Sequence, residues 1–101
     1  MSVYVDPAVW PFRGALWAHL ISDTSYEELH LFVVQLGVPR QAFQQDHYDL
    51  PAPLRFEAIR CGAIAVSRHE LILRLRAAGL RYASRVSQLP QERPVTTSVA
   101  G

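Results

Sequence analysis

WAHLISDTSYEELH, residues 17–30, changes its hydrophobic period halfway along, and that change sets the fold. From Leu16 to Ile21 the side chains alternate in steps of two, which predicts a strand with Trp17, His19 and Ile21 on one face and Leu16, Ala18 and Leu20 on the other. A helix start follows at once, because Thr24 with Glu27 and Ser25 with Glu28 form two capping boxes in adjacent frames. Tyr26, Leu29, Phe32, Val33 and Leu36 then recur at helical spacing as a buried stripe, and Gly37 followed by Pro39 stops the helix. His30 falls on the edge of that stripe, on the same side as Glu27.

Upstream, Val3, Tyr4 and Val5 are strand formers that run into Asp6-Pro7, so a short first strand ends at an aspartate. Trp10, Pro11, Phe12, Arg13 and Gly14 read as an irregular loop whose two rings are too apolar to lie wholly in water. Downstream, residues 40–45 suggest one helical turn around Phe43, and His47, Tyr48, Asp49 and Leu50 an extended piece with His47 and Asp49 on one face. A second helix is expected from Pro53 to Cys61, ended by Gly62. Ala63 to Val66 is wholly apolar, as in the middle of a parallel sheet. Ser67 with Glu70 caps a last helix running to Leu80, whose apolar residues occupy two sides and leave room for more than one packing partner.

The order of elements favours one small three-layer α/β domain over residues 1–82, with a short, mostly parallel sheet and about three helices. After Tyr82 the composition turns to Ser, Gln, Pro, Thr and Val, and residues 83–101 read as a mobile tail. Ligands in such sheets sit at the carboxyl ends of strands, a rule that would gather Asp6, Ser22-Asp23 and Ser67.

Half of the 101 residues are apolar, enough for one core, and no apolar run approaches the roughly 20 residues of a membrane span. The first residues lack the order of a signal peptide, so a cytoplasmic location is expected. The single cysteine, Cys61, has no internal disulfide partner, and its apolar neighbours suggest burial. Residues 1–50 hold six acids against two arginines, and residues 51–101 three acids against eight arginines, with no lysine anywhere. Arginine suits bidentate phosphate contacts, although codon bias explains its exclusive use more simply.

Asp6, His19, Asp23, His30, His47 and Asp49 offer imidazole and carboxylate groups, the ligand types of zinc, manganese and iron sites. Of these, His19, His47, Asp6 and Asp23 form the preferred set for catalysis or for a divalent metal. No closely spaced histidine or cysteine pair is present, so ligands would have to converge from separate elements. A metal-free site would use His19 or His47 as general base, Asp6, Asp23 or Asp49 to orient it, and Arg13, Arg55 or Arg60 to hold phosphate. The plain alternative is structural: His19 bonded to backbone, His30 to Glu27, and Asp23 at the helix cap. Glycine-rich phosphate loops, nucleophile elbows and Walker sequences are absent.

Trp10, Arg13, Trp17, Tyr48 and Arg55 are candidate ligand-binding residues, with the aromatics suited to stacking a base or clasping a protein. Arg68, Arg74, Arg76, Arg81 and Arg85 do not make one continuous basic track, so a nucleic-acid partner ranks below a small phosphate-bearing or nucleotide-like ligand.

Val3-Tyr4-Val5-Asp6-Pro7-Ala8-Val9-Trp10-Pro11, His-Leu-Ile-Ser-Asp-Thr with Glu-Leu-His beyond it, the Phe43 to Asp49 segment and Gly62-Ala63 resemble a small group of bacterial and phage proteins, domain-of-unknown-function family 4031. The resemblance covers Ser2 to Arg81 and implies a domain boundary but no catalytic residue. The expectation is therefore a His/Asp pocket covered by the Trp10 to Gly14 loop, for hydrolysis or binding of a phosphoester or nucleotide. The alternative is a non-catalytic accessory or protein-interaction module of the phage-associated kind.

Overall fold

A computed structural model describes residues 2–80, so the 83–101 tail lies outside the described residues. Its centre is the longest strand, β3 (Ala15–Ser22), flanked by β1 (Val3–Val5) and β5 (His47–Pro51). Both neighbours run antiparallel to β3, with Val3 opposite Ser22 and His19 opposite Asp49. β4 (Phe43–Gln44) extends the sheet beyond β5, and β6 (Ile64–Ala65) lies parallel to β1 at the other side. β2 (Trp10–Phe12) pairs with the first part of β3, where β1 does not reach.

The sheet is thus mixed, with β1–β6 its parallel pair, and the mostly parallel sheet expected above is corrected. Alternation along a strand fixes which side chains share a face, but carries no information on the direction of the neighbouring strand. The chain joins β1 to β3 through a hairpin instead of a helical crossover. Residues expected as loop form its first arm, β2, closed by a two-residue turn in which Arg13 and Gly14 both have positive φ, 50° and 76°. Such a turn matches the twist of antiparallel strands. Pro11 is tolerated because β2 bonds β3 alone.

Three layers do form. α1 (Tyr26–Val34) and α2 (Ala52–Arg60) cover one face, where Val3, Val5, Ala18, Leu20, Tyr48 and Leu50 meet Leu29, Val33 and Ala58. α3 (Arg68–Ala77) covers part of the other, with Leu71 and Leu75 against Tyr4 and Ile21. Of the two capping frames at α1, Ser25 is the one used: its Oγ accepts the Glu28 N–H at 3.0 Å. Gly37, at φ 73°, lets the chain turn back so that the Val38 N–H reaches the Val33 carbonyl at 3.2 Å.

Three local expectations are also corrected. Ala63 to Val66 is not a central strand; β6 is an edge of two exposed residues. Cys61 caps the α2 C-terminus and is exposed, because the helix buries the Leu54 and Ala58 line instead. α3 packs on one side only, leaving Leu73 half exposed. Among the described residues no helix is long and apolar enough to cross a membrane.

Candidate metal and acid-base site

The face of β3 that carries Trp17, His19 and Ile21 is the one α3 covers only partly, and the candidate chemistry gathers there. β1 stops at Asp6, yet its ladder continues one step: the Asp6 N–H donates to the His19 carbonyl at 3.2 Å, and the His19 N–H donates to Asp6 Oδ1 at 2.6 Å. Asp6 Oδ2 lies 2.8 Å from His19 Nδ1. Arg55 holds the same residue from α2, its Nε donating to the Asp6 carbonyl at 2.8 Å. Asp6 is almost completely buried, so its carboxylate is compensated by these fixed donors.

His47 enters from β5, opposite Gln44 across a tight turn in which Gln45 has φ 65°. That turn buries Asp46 and brings its Oδ1 to 2.7 Å from His47 Nδ1. Both imidazoles are therefore anchored at Nδ1 by a buried aspartate, which leaves Nε2 as the nitrogen not held by that aspartate. The rings stand 5.2 Å apart, edge to face. Asp49, two residues beyond His47 and directly across from His19, places Oδ1 3.0 Å from His47 Nε2. The contact is out of line for a hydrogen bond, and this buried oxygen has no hydrogen-bond partner. One ligating atom from each of His19, His47 and Asp49 falls within 4.8 Å of the others.

Burial by itself would lower the His47 pKa, but the Asp46 hydrogen bond and the adjacent Asp49 carboxylate outweigh it and raise the imidazole to about 9. In the metal-free chain His47 is thus an imidazolium between two carboxylates. Trp10 lies along one side of His19, ring centres 5.7 Å apart and 24° from coplanar, so the hairpin does cover part of the cluster. On the other side, Asp6, His19, Asp46 and His47 open into a cleft of about 180 Å³ under α3, with Arg68 beside them.

The remaining candidates are placed as follows. Asp23 is at the opposite end of the sheet from Asp6, since antiparallel pairing sets Ser22 against Val3. Its carboxylate instead accepts the Ser2 N–H at 2.9 Å, the Thr24 hydroxyl at 3.0 Å and the Tyr4 hydroxyl at 3.2 Å. Burial favours its neutral form, and these donors outweigh burial to lower its pKa. Tyr48 is wholly buried on the closed face, its hydroxyl hydrogen-bonded with His30 Nδ1 at 2.8 Å, so neither residue reaches the cluster and the expected His30–Glu27 pairing is replaced. Burial together with Arg40 lowers the His30 pKa, and burial raises that of Tyr48, which keeps this pair neutral. Trp17 gives its indole N–H to the Phe12 carbonyl at 2.8 Å, pinning the hairpin. Arg13 sits exposed at the hairpin tip over the Phe12 ring.

Two residues of the cluster are not assigned to it by the sequence, in which Arg68 reads only as a nucleic-acid contact. Asp46 directly precedes His47 and was legible as part of Asp46-His47-Tyr48-Asp49, a histidine with an acid on each side. Arg68 follows Ser67, the strand end that the carboxyl-end rule already placed near Asp6; β6 is parallel to β1, so those two ends do coincide.

Neither the curated proteins nor the solved structures include a match to this chain. A protein-family profile, described as "Protein of unknown function (DUF4031)", matches residues 3–78, and the chain belongs to that family.

Proposed function

We propose that this domain binds one divalent transition-metal ion through His19, His47 and Asp49 and uses it to hydrolyse a phosphate-bearing or nucleotide-like substrate. The observation that carries the reading is the Asp49 carboxylate oxygen, buried without a hydrogen bond beside two imidazoles that are each oriented by their own aspartate. Two histidines and one carboxylate leave coordination positions open, as catalytic sites require. An ion held there would lower the pKa of a bound water and polarise a phosphoryl oxygen. Asp6 and Asp46 act as positioning residues: each accepts a proton-bearing Nδ1 and so directs the Nε2 lone pair inward. Hydrolysis adds water across a P–O bond, its oxygen to phosphorus and its proton to the departing oxygen.

A second reading has its own support. His47 bridges Asp46 and Asp49, and Asp6 extends the β1–β3 ladder, so the cluster also serves to clasp strand ends in a non-catalytic interaction module. Elemental analysis of the purified chain, with melts across divalent ions and chelator, separates the two. The expected result is one ion per chain and a melting temperature that chelator lowers, since an ion that binds only the folded state stabilises it. His19→Ala and Asp49→Ala should abolish that response while Asp23→Asn retains it. A chain with no ion and no shift would leave the structural clasp.

A further inference from the structure

The cleft beside the cluster has two unlike walls. Asp6, His19, Asp46 and His47 form one; Ile21 from β3 with Leu71, Ile72 and Leu75 from α3 form the other. Arg68, the first residue of α3, joins them as the cleft's arginine. The other arginines near the sheet are engaged: Arg55 with the Asp6 carbonyl, Arg74 with Glu70 and Tyr4. Arg68 has no ion pair or hydrogen bond among the described residues.

A guanidinium with free donors at the rim of a small cleft is suited to a tetrahedral oxyanion, which it grips through two parallel hydrogen bonds. The cleft's volume, about 180 Å³, is below the roughly 300–1,000 Å³ of pockets that enclose drug-sized ligands. It has space for a phosphate and a compact group, and the apolar wall of α3 is the surface that group would meet.

We infer that this cleft is the substrate subsite for a compact phosphate monoester, with Arg68 binding the phosphate and Ile21, Leu71, Ile72 and Leu75 receiving the ester's apolar group. The inference rests on the metal-dependent reading above, because Asp6 and Asp46 line the cleft, with Asp49 3.0 Å from His47 behind them, and these carboxylates repel an anion unless a cation stands among them.

The test uses the full chain loaded with Zn²⁺, its metal content measured first, and calorimetric titration with phenylphosphonate and with inorganic phosphate. Both anions should bind the loaded chain, phenylphosphonate more tightly, and neither should bind after chelation. Arg68→Ala should weaken both by about tenfold or more, the loss expected for one charge-assisted contact, with the bound Zn²⁺ unchanged. Arg76→Ala, a change of equal charge on an exposed arginine outside the cleft, should have no effect. Ile72→Ser should weaken phenylphosphonate alone. Unchanged anion affinity in Arg68→Ala, or no anion binding by a chain carrying its Zn²⁺, overturns the subsite and leaves the metal reading intact. A chain that takes up no Zn²⁺ overturns both.

Discussion

Leu20 and His19 are neighbours in β3 and face opposite layers, and the two layers are held together by different physics. Leu20 is fully buried among Val5, Leu29, Leu50 and other side chains of a continuous apolar core. His19 stands on a face where α3 contributes Leu71 and Leu75 near one end and the rest is polar or aromatic. The closed face stabilises by removing apolar surface from water, whereas the open face spends burial on charged groups that need fixed partners. The same eight-residue strand therefore contributes one face to the apolar core and the other to the His/Asp cluster.

The sharpest way to break this comparison is to delete one residue from each face. Leu20→Ala should lower unfolding free energy by about 3–4 kcal/mol, because truncating a fully buried leucine loses transfer energy and leaves a cavity. Asp49→Ala, in chelator, should cost about 1–2 kcal/mol, because it removes one of the two carboxylates paired with His47, although the buried oxygen itself accepts no hydrogen bond. Urea denaturation measures both. Equal costs would mean that the cluster is a structural clasp, which favours the non-catalytic reading.

A second effect follows from His47 in the chelated chain. Its folded pKa, about 9, lies above the ordinary value of 6.5, so the folded state holds this proton more tightly than the unfolded chain. The contribution to stability is fully present below about pH 6.5 and is lost as pH rises through about 9. Its full size is at most about 3 kcal/mol, and the quarter exposure of the side chain reduces that through solvent screening. The difference in stability between the chelated wild type and His47→Gln isolates it from the opposite trend of His30, whose lowered pKa favours the folded state as pH rises. A difference that stays constant from pH 6 to 10 would show that Asp46 and Asp49 do not hold His47 as an imidazolium.

Much of this contrast is legible in the sequence because it rests on period two. The alternation from Leu16 to Ile21 assigns His19 and Trp17 to one face, and the step from His47 to Asp49 keeps both on one side. The caps Ser25 and Ser67 are equally local, each needing only a hydroxyl three residues before the amide it satisfies. What sequence does not carry is strand direction. Read as parallel, the ends of the first two strands bring Asp23 beside Asp6; antiparallel pairing sends it to the far end beside Ser2. The hairpin was hidden by Pro11, which argues against a strand until an unpaired edge is known to exist. Gly14 after Arg13 was its available signal.

The smallest expected effect tests whether α3 belongs to the open face as a separable layer. Ser67 Oγ accepts the Glu70 N–H at 3.1 Å, and Ser25 makes the equivalent bond for α1, so the two helices begin alike. Their docking differs: α1 adds Leu29 and Val33 to the main core, while α3 is seated by Leu71 and Leu75 in a separate cluster of four buried residues. Loss of either cap should cost about 1 kcal/mol. In Ser67→Ala that cost should appear locally, as faster amide hydrogen exchange within α3 at unchanged exchange in β3, because few apolar contacts tie the helix to the sheet. In Ser25→Ala it should appear as faster exchange of the most protected amides throughout the sheet, since α1 opens only with the core. Uniform acceleration in both variants would make α3 part of one cooperative unit, and the cleft beneath it a fixed cavity with no independent opening.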